Sequence, residues 1–400
     1  MKDQQPLNSL RSIVQAICWS VALMGLSLMQ AAEGWTPLRP GLLLEEFVFE
    51  TAPFPSCHAA TAVELANGEL LCAFFGGTRE RHPDVEIWIA RKPVEGPWTA
   101  PMSIADGVQS GGDRLPTWNP VLFQPKRGAL TLFYKVGPSP KEWWGMFKTS
   151  NDGGRTWGEG RKLGRGLIGP VKNKPIELEN GTVVAGSSTE NNGWRIHVER
   201  RESGGRWSLL DPINPEAEIG AIQPTFLTYA DARIQMLCRT RSEHGYIAQS
   251  WSTDEGLTWS PLKALTLPNN NSGFDGVTLA DGRQLLAYNH STRTQPGMGH
   301  KGRGILNIAV SRDGINWEAA LVLDHLDESG KQFSYPAVIQ TRDGLVHVFY
   351  TWHRDRIKHV VLDPAQLNTT PMMGGQWPTE GPASLASFHQ SNSTDSQTED

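Results

Sequence analysis

Six short apolar runs recur along the chain: "LLCAFF", "LTLFY", "TVVAG", "IQMLC", "QLLAY" and "LVHVFY". Runs this short between turn signals predict buried strands. Asn67-Gly68, Asn180-Gly181, Asp281-Gly282 and Asp343-Gly344 stand just ahead of four of them and predict hairpins. If Asn67 and Gly68 form a two-residue turn, Ala66 faces Glu69 and Cys72 faces Val63. A further strand follows in "EIWIAR", "RIHVER", "YIAQSW", "ILNIAVS" and "IKHVVL". A strand also precedes each apolar run: "SCHAATAV", "TWNPVLF", "VKNKPIEL", "AIQPTFL", "GFDGVTL" and "SYPAVIQ". These last six begin with polar or aromatic groups and then turn apolar. The chain therefore reads as all-β, in six units of one plan.

Between units stands a repeated turn. "SNDGGRTW" ends at Trp157 and "STDEGLTW" at Trp259, with a shorter "SRDGINW" ending at Trp317 and worn copies ending at Trp207 and Trp98. Spacings of about fifty to sixty residues predict repeated supersecondary units such as propeller blades. Asp suits bonding to turn amides and Gly supplies positive φ. A single active site has no need of several copies, so Asp152, Asp254 and Asp313 read as scaffold. The last unit lacks the motif, and a strand near Leu42–Glu50 is expected to return and close the ring. The predicted fold is a six-bladed β-propeller over residues 42–365.

Composition adds boundaries. The 400 residues carry 37 Lys and Arg against 42 Asp and Glu, a net charge of −5 without a basic run, which gives no footprint for nucleic acid. Lys2 and Arg11 followed by the apolar stretch 13–29 read as an export signal cut around residues 31–33, so residues 1–32 are expected to be removed. The alternative is an uncut anchor; the expectation is a secreted or periplasmic protein with no membrane segment after cleavage. Cys57, Cys72 and Cys238 remain, too few for a disulfide framework and read as buried free thiols. No metal-ligand spacing occurs, so neither metal nor other cofactor is predicted. Residues 376–400, rich in Ser, Thr, Gln and Asn, are expected to be disordered.

In a propeller the innermost strands surround the axis and their starts crowd one mouth. That places His58, Asn119, Lys172, Lys174, Gln223, Asp275 and Tyr335 around one pocket, suited to a ligand by its convergent polar groups. The loop "FFGGTRERHPDVEIW" adds Arg79 and Asp84, and Arg239 and Arg303 stand at strand ends. Guanidinium groups bind carboxylates in a planar, bidentate way, which selects an acidic ligand.

The S-x-D-x-G-x-T-W repeats resemble the Asp-box, or BNR repeat, of the sialidase superfamily, whose fold is a six-bladed propeller. The resemblance implies an exo-acting hydrolase releasing sialic acid or a similar terminal acidic sugar from a glycan. It implies a Tyr nucleophile, the known exception to the two-carboxylate plan. On this chain Tyr335 matches that tyrosine, Asp84 the loop acid, Arg239 and Arg303 two of three carboxylate-binding arginines, and Arg79 an additional one. Two places depart from the pattern. The first arginine is replaced by Cys57-His58-Ala59, with His58 or Lys174 as substitutes. The glutamate that assists the tyrosine is missing from "GAIQPTF", with Glu218 or Glu190 as substitutes. Two other functions remain open: a uronate lyase or rhamnosidase-like enzyme using His58 or Tyr335 for proton transfer, and a propeller that binds glycans without turnover.

Overall fold

The computed structural model describes residues 39–214, 219–327 and 330–395. The expected export signal and Glu218 lie outside the described residues. Among those described, no helix is long and apolar enough to cross a membrane.

The strands form six antiparallel sheets, the blades of a propeller. Blade I runs from inside out through Ser56–Glu64, Leu70–Gly77, Glu86–Lys92 and Met102–Ala105. Blade IV repeats the plan with Ala221–Thr228, Ile234–Thr240, Tyr246–Ser252 and Lys263–Pro268. The second strand of every blade, the apolar run of the sequence, lies almost wholly inside. It is covered on both faces by neighbouring blades, which is why these runs lack polar alternation. Blade VI is completed by Leu42–Phe47, which pairs antiparallel with Arg356–Leu362 and closes the ring as expected.

That joint is bonded by more than its ladder. Glu46 accepts from His359 Nδ1 (2.8 Å), Trp98 Nε1 (2.9 Å) and Lys92 Nζ (3.0 Å), so one carboxylate ties the closing strand to blades VI and I. Because Nδ1 of His359 faces the carboxylate, its Nε2 is left to accept from Nδ1 of His347 at 2.9 Å. Burial opposes charge on Glu46, but its three donors outweigh it and hold the carboxyl down at about 2.

The hairpins differ from the expected two-residue turn. Gly68 N–H donates to Leu65 O, and Leu65 N–H donates to Glu69 O. Gly68 has φ +85°. This is a three-residue loop, a turn followed by a left-handed residue. The extra residue shifts the register, so Cys72 faces Ala62 rather than Val63. The ladder slips again between His58 and Thr61, and Cys57 and Cys72 lie in one apolar cluster as buried free thiols. The same loop recurs at Gly181, Gly282 and Gly344, and in blade IV with Ala232 at φ +63°.

The three full Asp-boxes follow the third strands of blades II, IV and V and are built alike. Ser150 Oγ takes the N–H of Gly154 (2.7 Å), and Asp152 accepts from Thr156 N and Arg155 N. Asp254 and Asp313 repeat the arrangement. Each turn packs on the preceding blade: a Cβ on Gly154 would press on Leu71, and one on Gly314 would collide with Tyr229 and Gln235. Arg303 stands at the start of a third strand, and an Asp-box follows its end at Ser311. A strand of this length spans about 23 Å, so the boxes mortar the face opposite the arginine.

The segment from Gln376, expected to be disordered, is ordered through residue 395. Trp377 Nε1 donates to Ala383 O at 2.8 Å, and the helix Leu385–Asp395 buries Phe388 against Ile305 and Val322 of blade V. Arg39 lies 5.2 Å from the Phe388 ring and donates to the carbonyls of Val322 and Leu323. Two aromatic anchors dock a segment whose average composition conceals them.

Candidate functional site

Non-glycine residues with left-handed backbone mark the mouth of the axis: Ala59 (φ 60°), Asn119 (39°), Lys172 (77°), Gln223 (55°) and Tyr335 (55°). In four of these inner strands the ladder slips at that point, between His58 and Thr61, Trp118 and Val121, Ile222 and Thr225, and Ser334 and Ala337. Asn119, Gln223 and Tyr335 each precede a proline, which has no N–H to lose from the ladder. Each left-handed residue costs on the order of 1–3 kcal/mol, and such strain gathers where a site needs it. The bulges re-aim the side chains beside them.

Tyr335 is the centre. Its hydroxyl receives a hydrogen bond from Arg239 Nη1 (2.5 Å) and one from Gln223 Nε2 (3.3 Å), and Arg239 Nη1 also reaches Gln223 Oε1 (3.1 Å). The guanidinium carbons of Arg239 and Arg303 lie 5.7 and 5.8 Å from the tyrosine ring, and Lys172 Nζ lies 5.9 Å from it. Arg239 is oriented by Asn271 Oδ1 (2.9 Å), and Arg303 by Gln332 Oε1 and the Asn271 carbonyl. Burial and the neighbouring cations Arg239 and Arg354 push Arg303 down to about 10, which leaves it charged at neutral pH.

His58 packs on Tyr335 with ring centroids 4.1 Å apart and the planes tilted by 45°, and is hydrogen-bonded through Nδ1 to Thr351 Oγ1 (2.8 Å). Burial, then the charges of Arg354, Arg303, Arg239 and Lys172, holds its pKa well below the usual imidazole range, so it is neutral. It is a packed neighbour of the tyrosine. Lys172 is buried and donates to Asn173 Oδ1 (2.8 Å) and to the carbonyls of Phe274 (2.9 Å) and Pro336. Burial lowers it to about 7, against the pull of Asp275.

Lys174 and Asp275 form an axial ion pair at 2.9 Å. Asp275 also accepts from Thr225 Oγ1, Gly276 N and Val338 N. Four donors occupy its two oxygens, so it pins blades III to VI together. Asn119 is buried at the mouth, on the inner strand of blade II. Arg79 is exposed, with no ion pair among the described residues. Asp84 is engaged within its own loop. It accepts from Thr78 N (3.0 Å) and Thr78 Oγ1 (2.6 Å), and pairs with His82 at 2.8 Å. Burial works against its charge, but the Thr78 and His82 bonds prevail and lower its pKa. That environment braces a loop and does not retain a proton.

Two residues play a larger part than their motifs suggest. Glu190 follows the second strand of blade III. Burial raises its pKa in spite of Arg239, a hydrogen bond from Trp194, Arg241 and Arg81. It is a carboxyl that keeps its proton longer, beside the arginine that touches Tyr335. Arg354 was not singled out at all. It sits in the last hairpin of blade VI at φ +70°, pairs with Glu80 at 2.7 Å, and is close enough to depress both His58 and Arg303. Its carbonyl accepts from Cys57 N–H at 2.8 Å, so it adjoins the place where the first arginine is missing. Arg239 and Arg303 flank the phenol, and Arg354 lies near enough to His58 and Arg303 to act on both.

The profile of the BNR repeat-like domain family matches residues 68–348. A curated sialidase of Micromonospora viridifaciens is 25% identical over 244 residues, which cover 56% of this chain and 34% of that protein. The chain therefore spans about a third of that relative's length. Among solved structures, a Dyadobacter fermentans protein of unknown function superposes with TM-score 0.64 at 15% identity, covering 82% of this chain and 99% of that one. The Hadza microbial sialidase Hz136 also superposes with TM-score 0.64 at 15% identity, covering 78% and 66%. These structural likenesses establish a sialidase-like six-bladed propeller.

Proposed function

The chain belongs to the BNR repeat-like domain family, and on that footing we propose that it is an exo-acting glycoside hydrolase removing a terminal acidic sugar, sialic acid or one of like charge. One observation carries the reading: the phenol of Tyr335 receives the Arg239 guanidinium at 2.5 Å, with Arg303 and Lys172 within 6 Å of its ring. The two guanidinium groups so placed attract an anionic sugar and stabilise negative charge on the attacking oxygen. A neutral phenol avoids the repulsion that a carboxylate nucleophile would feel.

In the first step Tyr335 Oη bonds to the anomeric carbon and releases its proton to solvent as the bond forms. The bond to the leaving oxygen breaks, and that oxygen takes a proton from the Glu190 carboxylic acid. In the second step water attacks the same carbon and gives a proton to the Glu190 carboxylate. The tyrosine oxygen leaves and is reprotonated from solvent. Arg239, Arg303 and Arg354 hold the sugar's carboxylate. Glu190 takes the acid's part in this scheme because Asp84 is committed to Thr78 and His82.

The test is a fluorogenic sialoside given to the purified protein beside Tyr335→Phe. Release by the wild type and its loss in a folded Tyr335→Phe supports the reading; no release by folded wild type overturns it for that sugar. One observation favours a second reading, binding without turnover: Gln223, which cannot act as a base, occupies the hydrogen-bonding place beside the phenol. A sialoglycan that binds and stays intact would identify it.

A further inference from the structure

Beside the mouth, between the blade III hairpin and the outer end of blade IV, lies a cavity of about 380 Å³ whose lining includes Asn192, Trp194, Arg241, Glu243 and His244. It borders the central site through one side chain. The Trp194 ring lies 5.2 Å from the guanidinium carbon of Arg239 and 5.5 Å from that of Arg241. Arg239 is spoken for by Tyr335, Gln223 and Asn271. The Arg241 guanidinium has no hydrogen bond or ion pair among the described residues, although it is half-buried. Its charge acts on Glu190, whose burial raises its pKa and so weakens its claim on the arginine. Glu243 is exposed at the rim, where it can accept sugar hydroxyls, and His244 Nε2 is occupied by Gly220 N–H at 3.3 Å. Two arginines two residues apart, one in the strand Ile234–Thr240 and one just past its end, are bridged by an indole and make two anion-binding positions in a row.

We propose that this cavity is a second sugar subsite, which takes the residue next to the terminal acidic sugar and selects one carrying an anionic substituent, a sulfate ester or a carboxylate. The inference rests on the central site being the terminal-sugar site. Arg241 supplies the planar charge-assisted contact, and the half-buried setting makes the contact worth more than an exposed pair.

Calorimetric titration of the Tyr335→Phe protein reads binding without turnover. The probes are a sialyl-galactoside, the same glycan sulfated on galactose, and a disialoside. At low salt the anionic second residue binds about fivefold or more tightly. Arg241→Lys keeps part of the gain and Arg241→Met removes it. A gain with the sulfated glycan alone assigns sulfate; a gain with the disialoside alone assigns carboxylate. Equal affinity for all three glycans, or a gain that survives Arg241→Met, overturns the subsite and leaves the central reading intact. Failure of all three to bind overturns the central reading, and the subsite with it.

Discussion

Arg354 is the residue whose part is hardest to see in the sequence. "TWHRDR" reads as a polar hairpin at the edge of blade VI, and nothing in it announces a binding arginine. Its neighbourhood is created by ring closure, which brings residue 354 against residues 57 and 80. If it holds the sugar's carboxylate with Arg239 and Arg303, Arg354→Leu raises KM by about tenfold or more, the loss expected of a charge-assisted contact, and alters kcat less. Kinetics on a sialoside, beside an uncharged glycoside as control, reads the split. Glu190 makes a prediction about pH. Its raised pKa keeps the acid form beyond the pH at which an ordinary carboxyl ionises. Activity that needs the proton falls as pH rises through that displaced value. Glu190→Gln removes this limb from the pH profile and lowers kcat by about a hundredfold or more.

At the scale of elements, the second strands and the Asp-boxes were legible because their physics is local. A buried strand must be apolar, and a turn that bonds its own amides must carry Asp and Gly. The hairpin loops were misread by one residue because Asn-Gly serves both a two-residue turn and the last two places of a three-residue loop. Only the ladder, through Leu65 and Glu69, distinguishes them. The site was legible as a set of inner-strand starts but not in its roles. His58 and Asp275 share those starts with Gln223 and Tyr335, yet His58 is packed and neutral, and Asp275 is saturated by four donors. Burial and partner count, which no spacing encodes, make that difference. The loop family also offers a stability test. Ala232 occupies at φ +63° the place that glycine fills in four sister hairpins, and its methyl is exposed. Ala232→Gly should stabilise the fold by about 0.5–1 kcal/mol, the left-handed penalty less the added chain entropy. A rise in the urea midpoint at constant slope is the check.

For the whole molecule the critical joint is the one at Glu46. Its folded pKa is depressed, so its contribution is present above the ordinary carboxyl range and is lost as pH falls from about 4.5 toward 2. His347, lowered to about 4 by burial and by His359, works earlier on the same joint. It stays neutral while the unfolded chain takes up protons below pH 6.5, so stability declines from there toward 4. Glu46→Gln is expected to cost about 2 kcal/mol at pH 7, the worth of hydrogen bonds to a charged group. It should also flatten the decline below pH 4.5, as read from denaturant midpoints across pH.

The closing strand also fixes an order of events during synthesis. Leu42–Phe47 leaves the ribosome among the first parts of the blades, while Arg356–Leu362, its partner, is among the last. For the time needed to translate some three hundred residues, about 15–60 s at ordinary elongation rates, Leu43 and Leu44 wait on an unpaired edge. In the finished ring that strand is paired on one side, with Arg356–Leu362, and forms the outer edge of blade VI; in the nascent chain both of its sides are open. A permuted gene that begins at blade I and ends with the closing strand would make the two partners in succession and shorten that wait.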